Sequence, residues 1–271
     1  MSDQNDRIRE LSGWDFDAYE YRAATYDRGK WADARRIVTQ RAPFEAANAM
    51  ILEESEKFRD AFSVQAARRD LQAEMAGLDW SLGVVDLRLL LAFQRRLCFN
   101  ASAGSVVDPA QIEDLLTLAF GPAKTISFDL VHAETNRNLV LESRDPNLHF
   151  RFSTEGSTPV IVHAGSPFFE VGRYRGRWFL RDGYHRAYAL LRAGIFTLPA
   201  VIVQARTLEE LGANQPWFFP EDVLLSDSPP LVTDFLDAAL TIEYERPPLI
   251  KTLRIAIEET FAPAVSQGGS S

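Results

Sequence analysis

The spacing of apolar and polar positions changes character near Phe120-Gly121-Pro122. Between Pro43 and Leu78, the apolar residues Ala46, Met50, Phe58, Phe62, Val64 and Leu71 recur at mostly helical intervals, with charged residues filling much of the remainder. A break at Gly77 or Gly83 sets off the segment from Val84 to Phe99. Asp108-Pro109 then offers an N-cap and a first-turn proline for a short helix ending near Gly121. Residues 1–121 therefore read as an N-terminal helical region, a set of assembly helices through which a protein partner could dock.

Beyond Pro122 the period shortens to two. Thr125 to Val131 alternates, Asn138 to Glu142 is a second short run, and Leu148 to Phe152 alternates cleanly after the turn Asp145-Pro146-Asn147. Val160 to His163 and Phe168 to Val171 follow, then an arginine-rich hairpin turning at Arg175-Gly176. Next come a helix and a buried strand over 198–203. Gln215-Pro216-Trp217-Phe218-Phe219-Pro220 reads as a loop that packs its aromatic side chains, with a lid as the alternative. Leu231 to Leu240 is a short helix, and Thr241 to Glu245 a strand. Leu249 to Phe261 is either a helix or a strand followed by loop. Short strands around one helix predict an α+β domain over 122–262, with residues 263–271 a disordered tail.

Composition narrows the classes. With 271 residues, 46% of them hydrophobic, the chain can bury a sizeable core in one large or two small domains. The formal net charge of −9 argues against DNA binding, which draws its affinity from Lys and Arg against phosphates. The polar start Met1 to Arg7 lacks the basic-then-apolar order of a signal peptide, and no uninterrupted apolar span of membrane length occurs. A lone cysteine, Cys98, fits a reducing compartment and reads as a small core residue. A soluble cytoplasmic protein is the expectation.

The chemistry concentrates at one junction. In Trp178-Phe179-Leu180-Arg181-Asp182-Gly183-Tyr184-His185-Arg186-Ala187 an apolar run ends in Asp-Gly and a helix-compatible run begins at once. The first amides of a helix lack intrahelical partners, and the peptide dipoles leave partial positive charge there. His185 and Arg186 fall in the same first turn, so backbone N–H groups, an imidazole and a guanidinium could meet phosphate oxygens together. Against this, Asp182 is also an ordinary N-cap, Gly183 an ordinary turn residue and Arg186 a possible solvated charge.

This strand–Asp-Gly-x-His-Arg–helix unit, ending in Ala-Gly and followed by Leu198-Pro199-Ala200-Val201-Ile202-Val203, resembles the ParB/sulfiredoxin superfamily over about residues 159–205. That group includes chromosome-partitioning CTPases, sulfiredoxins, free-serine kinases and ParB-like nucleases. The resemblance implies a mixed sheet with a phosphate-facing helix. Gly183, Tyr184 and His185 would offer amides to a nucleotide phosphate, the side chains of His185 and Arg186 would bind its oxygens, and Asp182 would hold the turn or approach a metal ion. Sulfiredoxins carry their reactive cysteine immediately before His-Arg, where this chain has Tyr184, so sulfinic acid repair is not expected. No DNA-binding helix pair with a basic face follows the module.

The expected ligand is ATP or CTP, with magnesium where phosphate is transferred. A kinase-like member needs a general base, and Glu170 or Asp182 would serve; His185 completes the candidate catalytic set. Arg173, Arg175, Arg177, Arg181 and Arg186 form a basic stripe that is either a solvated face or a funnel for an anion. His132, His149 and His163 lack metal-site spacing; His163 is the one whose strand could reach the cradle. The functional expectation is a nucleotide-binding protein that binds an NTP and hydrolyses it or transfers its phosphate. The alternative is a non-catalytic interaction or scaffold protein that retains the fold.

Overall fold

A computed structural model describes residues 5–22, 27–99, 112–122, 128–134, 138–144, 148–152 and 160–256. In chain order its first elements are β1 (Asp6–Leu11), α1 (Arg28–Thr39), α2 (Leu52–Lys57), α3 (Arg59–Ala66), α4 (Arg69–Glu74), β2 (Trp80–Asp86), β3 (Leu91–Ala92), β4 (Arg96–Phe99) and α5 (Ile112–Phe120). Four strands follow: β5 (Asp129–Glu134), β6 (Asn138–Ser143), β7 (Leu148–Phe152) and β8 (Val160–Ala164). Then come β9 (Glu170–Tyr174), β10 (Arg177–Asp182), α6 (Tyr184–Arg192), β11 (Thr197–Gln204), α7 (Leu208–Leu211), α8 (Glu221–Leu224), β12 (Thr241–Arg246) and β13 (Lys251–Ala256). The class is α+β, with several separate sheets.

The chain divides into two units, Met1–Ala123 with Ser166–Pro248, and Lys124–Gly165 with Leu249–Ser271. In the smaller unit β6 pairs with both β5 and β13, and β7 pairs with β8. The larger unit holds a five-stranded sheet in the order β2-β11-β9-β10-β3 and a three-stranded one in the order β12-β1-β4. The main core lies in this unit and includes Phe168, Phe169, Phe179, Leu198, Val201 and Ile202.

This arrangement corrects the division at residue 121. Helices do occur in the N-terminal segment, but β1 pairs with β12 and β4, and β2 pairs with β11 along its whole length. Residues 6–99 thus complete sheets whose other strands lie from residue 170 onward. The helical stretch from Pro43 to Leu78 is three short helices, interrupted at Phe58 and at Ala67-Arg68. The segment from Val84 to Phe99 is mainly strand. Most of it is buried, so its inward and outward positions do not alternate in polarity, and periodicity alone could not identify it.

Other expectations held. β7, β8, β11 and β12 form where the short period placed them, and Leu231 to Leu240 contains a 3-10 turn at Val232–Leu236. The end of the chain takes the strand alternative, as β13. Asp108-Pro109, Thr125 to Ser127, Asp145 to Asn147 and the tail 263–271 lie outside the described residues.

The β9–β10 hairpin turns at Arg175-Gly176, where both residues have positive φ (48° and 78°). Two left-handed residues match the twist of the flanking strands. β11 runs parallel to β9 and antiparallel to β2. Pro199 fits inside this buried strand because pairing with β9 begins only at Val201, so no ladder donor is missing there. α6 buries Tyr184, Ala187, Leu190 and Leu191 at helical spacing. It stops in a Schellman motif, in which Ile195 N–H donates to Leu190 and Gly194 N–H to Leu191, with left-handed Gly194 supplying the reversal.

Candidate functional site

Asp182 ends β10, Gly183 is the N-cap of α6, and Tyr184, His185 and Arg186 form its first turn, the strand–turn–helix junction expected from the sequence. Glu170 lies beside it, since β9 and β10 pair Glu170 with Asp182 across a register irregularity. All the sequence-predicted site residues therefore meet at one corner of the five-stranded sheet. What each does there is a separate question.

Gly183 has φ 102°, and a Cβ built on it would overlap the ring of Phe169. The absence of a side chain is required by packing against β9's neighbour as well as by backbone conformation. Tyr184 points inward: its hydroxyl accepts the N–H groups of Phe93 (3.0 Å) and Gln94 (3.2 Å), and its ring meets Phe93 edge-on. Burial pushes its phenol well above the usual tyrosine range. His185 Nε2 lies 2.8 Å from the carbonyl of Cys98, an acceptor, so this nitrogen carries the proton. The imidazole also meets the Phe99 ring edge-on.

Arg186 is the most heavily engaged. Its Nη1 donates to the carbonyls of Leu118 (2.8 Å) and Pro167 (2.7 Å), and its Nη2 donates to that of Phe168 (2.8 Å). Asp182 Oδ1 stands 3.4 Å away, and the guanidinium lies over the Phe169 ring. Leu118 belongs to the last turn of α5, where carbonyls have no intrahelical donor. One side chain thus caps α5 and ties Pro167 and Phe168, just before β9, to the start of α6.

Glu170 is buried and ion-paired with Arg181, whose Nε also donates to the carbonyl of Glu210 at 3.2 Å. Burial pushes its carboxyl up, and the charge of Arg181 opposes that shift. Asp182 keeps 43% of its side-chain exposure. The arginine stripe is split: Arg177 donates to the carbonyls of Leu224 and Ser226, Arg181 and Arg186 are held as described, and Arg173 and Arg175 stand at the opposite end of β9. In the loop Gln215 to Pro220, Phe218 and Phe219 pack as expected, with Phe219 N–H donating to Phe93 and the Phe218 ring 5.0 Å from that of Phe93, whereas Trp217 stands exposed.

The other histidine side chains lie outside the described residues; His163 falls on β8, which pairs with β7. Cys98 is half-buried in a second, smaller apolar cluster with Ile8, Ile242 and Tyr244, and burial pushes its thiol up to about 11. Among the described residues no group of three or more His, Cys, Asp and Glu is placed to hold a metal ion. No helix among them is long and apolar enough to cross a membrane.

Sequence reasoning missed a polar network at the second cluster. Arg22 and Arg96 each bridge Glu10 and Asp17, and Tyr244 donates to Glu10 at 2.8 Å. Its signal was available in Arg95-Arg96, two charges inside an otherwise apolar run. The chain matches no protein-family model, no curated protein and no solved structure.

Proposed function

We propose that this chain is a non-catalytic interaction protein that retains a ParB/sulfiredoxin-like α+β core. The order hairpin, glycine turn, helix and parallel strand in β9, β10, α6 and β11 supports the family reading. The observation that carries the functional reading is Arg186. A guanidinium that donates to three backbone carbonyls serves a structural purpose, and turning it toward a phosphate would orphan those acceptors. The side chains of Glu170 and His185 point the same way, because each already serves an internal partner.

Calorimetric titration with ATP, CTP and GTP, with and without magnesium, tests this. The expected result is no saturable binding at the Asp182–Arg186 turn. Saturable binding that disappears in His185→Ala overturns the reading and restores a nucleotide site with the amides of Gly183, Tyr184 and His185 as its cradle.

A further inference from the structure

The cations that the Asp182 turn does not use gather at the other end of the same sheet. Strand pairing places Asp182 opposite Glu170 and Trp178 opposite Arg173, so Glu170 and Arg173 are separated by about 10 Å at roughly 3.3 Å per residue. At the far end a cavity of about 280 Å³ is lined by Arg173, Arg175 and Arg206 together with Gln204 and Asp79. It lies beyond the carboxyl ends of the parallel strands β9 and β11, where Gln204 pairs with Arg173.

Two of the three guanidiniums are held in place. Arg206 is bidentate to Glu210, which also accepts the Arg206 N–H, while Thr207 caps the Glu210 N–H. Arg175 donates to the hydroxyl of Tyr174 at 3.1 Å and lies 3.4 Å from Glu221. Arg173 lies over the Trp178 ring and has no carboxylate partner among the described residues. Arg175 is the one non-glycine residue with positive φ among the described residues, at a turn position that favours Asn, Asp or Gly. This hairpin turn brings the Arg175 guanidinium to the cavity rim.

We propose that this cavity binds a small hydroxylated phosphate monoester. Arg173 supplies the uncommitted charge, Arg175 and Arg206 flank the phosphate with the Nη groups that Tyr174 and Glu210 do not occupy, and the Gln204 amide adds a neutral donor. Asp79 is the acceptor for a ligand hydroxyl. The cavity volume, at the small end for ligand sites, suits a compact molecule better than a whole nucleoside triphosphate.

Titration of the full chain with inorganic phosphate and with glycerol 3-phosphate, followed by 31P NMR and calorimetry, tests the site. Saturable binding is expected, tighter for the ester, and weakened about tenfold or more by Arg173→Gln or Arg206→Gln. Arg175→Asn is expected to weaken binding while holding or raising the urea midpoint, because Asn tolerates the left-handed turn. That variant separates lost binding from lost fold. No saturable binding, a response matched by sodium chloride at equal ionic strength, or full binding in Arg173→Gln overturns the proposal. The site is independent of the non-catalytic reading: nucleotide binding lost in Arg173→Gln belongs to this cavity, and binding lost in His185→Ala belongs to the turn.

Discussion

Replacing Arg186 by alanine separates a structural staple from a phosphate ligand more sharply than any other single change. The variant removes the donor from the carbonyls of Leu118, Pro167 and Phe168 and leaves Asp182 without its i,i+4 partner. A buried acceptor left unsatisfied costs about 1–3 kcal/mol. Three of them would reach the upper single digits, but water can enter the space vacated, and the removed cation no longer bears its own desolvation cost. Burial already holds Arg186 below the usual guanidinium range, with Asp182 and then Glu170 opposing that shift. The net expectation is a loss of about 3–5 kcal/mol. For a folding unit near 200 residues that corresponds to a fall in Tm of about 10 °C.

Urea unfolding followed by tryptophan fluorescence measures this loss, with two companions that divide it. Arg186→Met keeps an apolar stem in place of the guanidinium over Phe169 and should recover only the packing share. Arg186→Lys restores a charge that reaches fewer carbonyls and should fall between Met and wild type. A solvated phosphate ligand behaves differently, since removing an uncompensated cation beside a helix N-terminus costs little stability or raises it. If Arg186→Ala unfolds within about 0.5 kcal/mol of wild type, the staple argument fails.

Gly183→Ala should lose about 2–4 kcal/mol, from left-handed strain and overlap with the Phe169 ring; Gly176→Ala, at φ 78° with open space around it, should lose only about 1 kcal/mol. Equal losses in urea melts would show that Phe169 does not crowd residue 183. For Asp17, burial raises the carboxyl pKa, but the hydrogen bond and charge of Arg96 and then the hydrogen bond of Arg22 outweigh it and leave the pKa lowered. A depressed carboxyl contributes stability above its unfolded pKa and loses it as pH falls through its folded pKa, so stability should drop below about pH 4. Asp17→Asn should flatten that acid limb in chemical denaturation measured from pH 7 to pH 3, and an unchanged limb would remove Asp17 from the account.

What the sequence disclosed was what neighbouring residues decide. The β9–β10 turn, the glycine before α6 and the Schellman end of α6 rest on interactions within a few positions, and each was legible. β1 went unread beyond the polar start at Arg7, because its partners, β12 and β4, lie far along the chain and only their pairing reveals which side is buried. β2, buried over Gly83 to Asp86 on both faces, and the two-residue β3 were hidden because neither alternates in polarity. At the candidate site the identity of every residue was legible and the role of Arg186 was not. Its partners are backbone carbonyls, and a backbone carbonyl has no letter in the sequence.

That asymmetry bears on what an Asp-Gly-x-His-Arg turn can mean. Each residue of this turn satisfies a local demand of the fold: Gly183 clears Phe169, Tyr184 accepts two N–H groups, His185 reaches the Cys98 carbonyl and Arg186 closes three carbonyls. Folding alone can therefore retain the pattern, so its presence does not discriminate between a working phosphate cradle and an inherited corner. Position does. Substitutions at the turn should cost stability, whereas substitutions at Arg173 and Arg206 should cost anion binding with the fold intact. If the two losses instead coincide at Arg186, the turn is both staple and ligand, and the non-catalytic reading gives way.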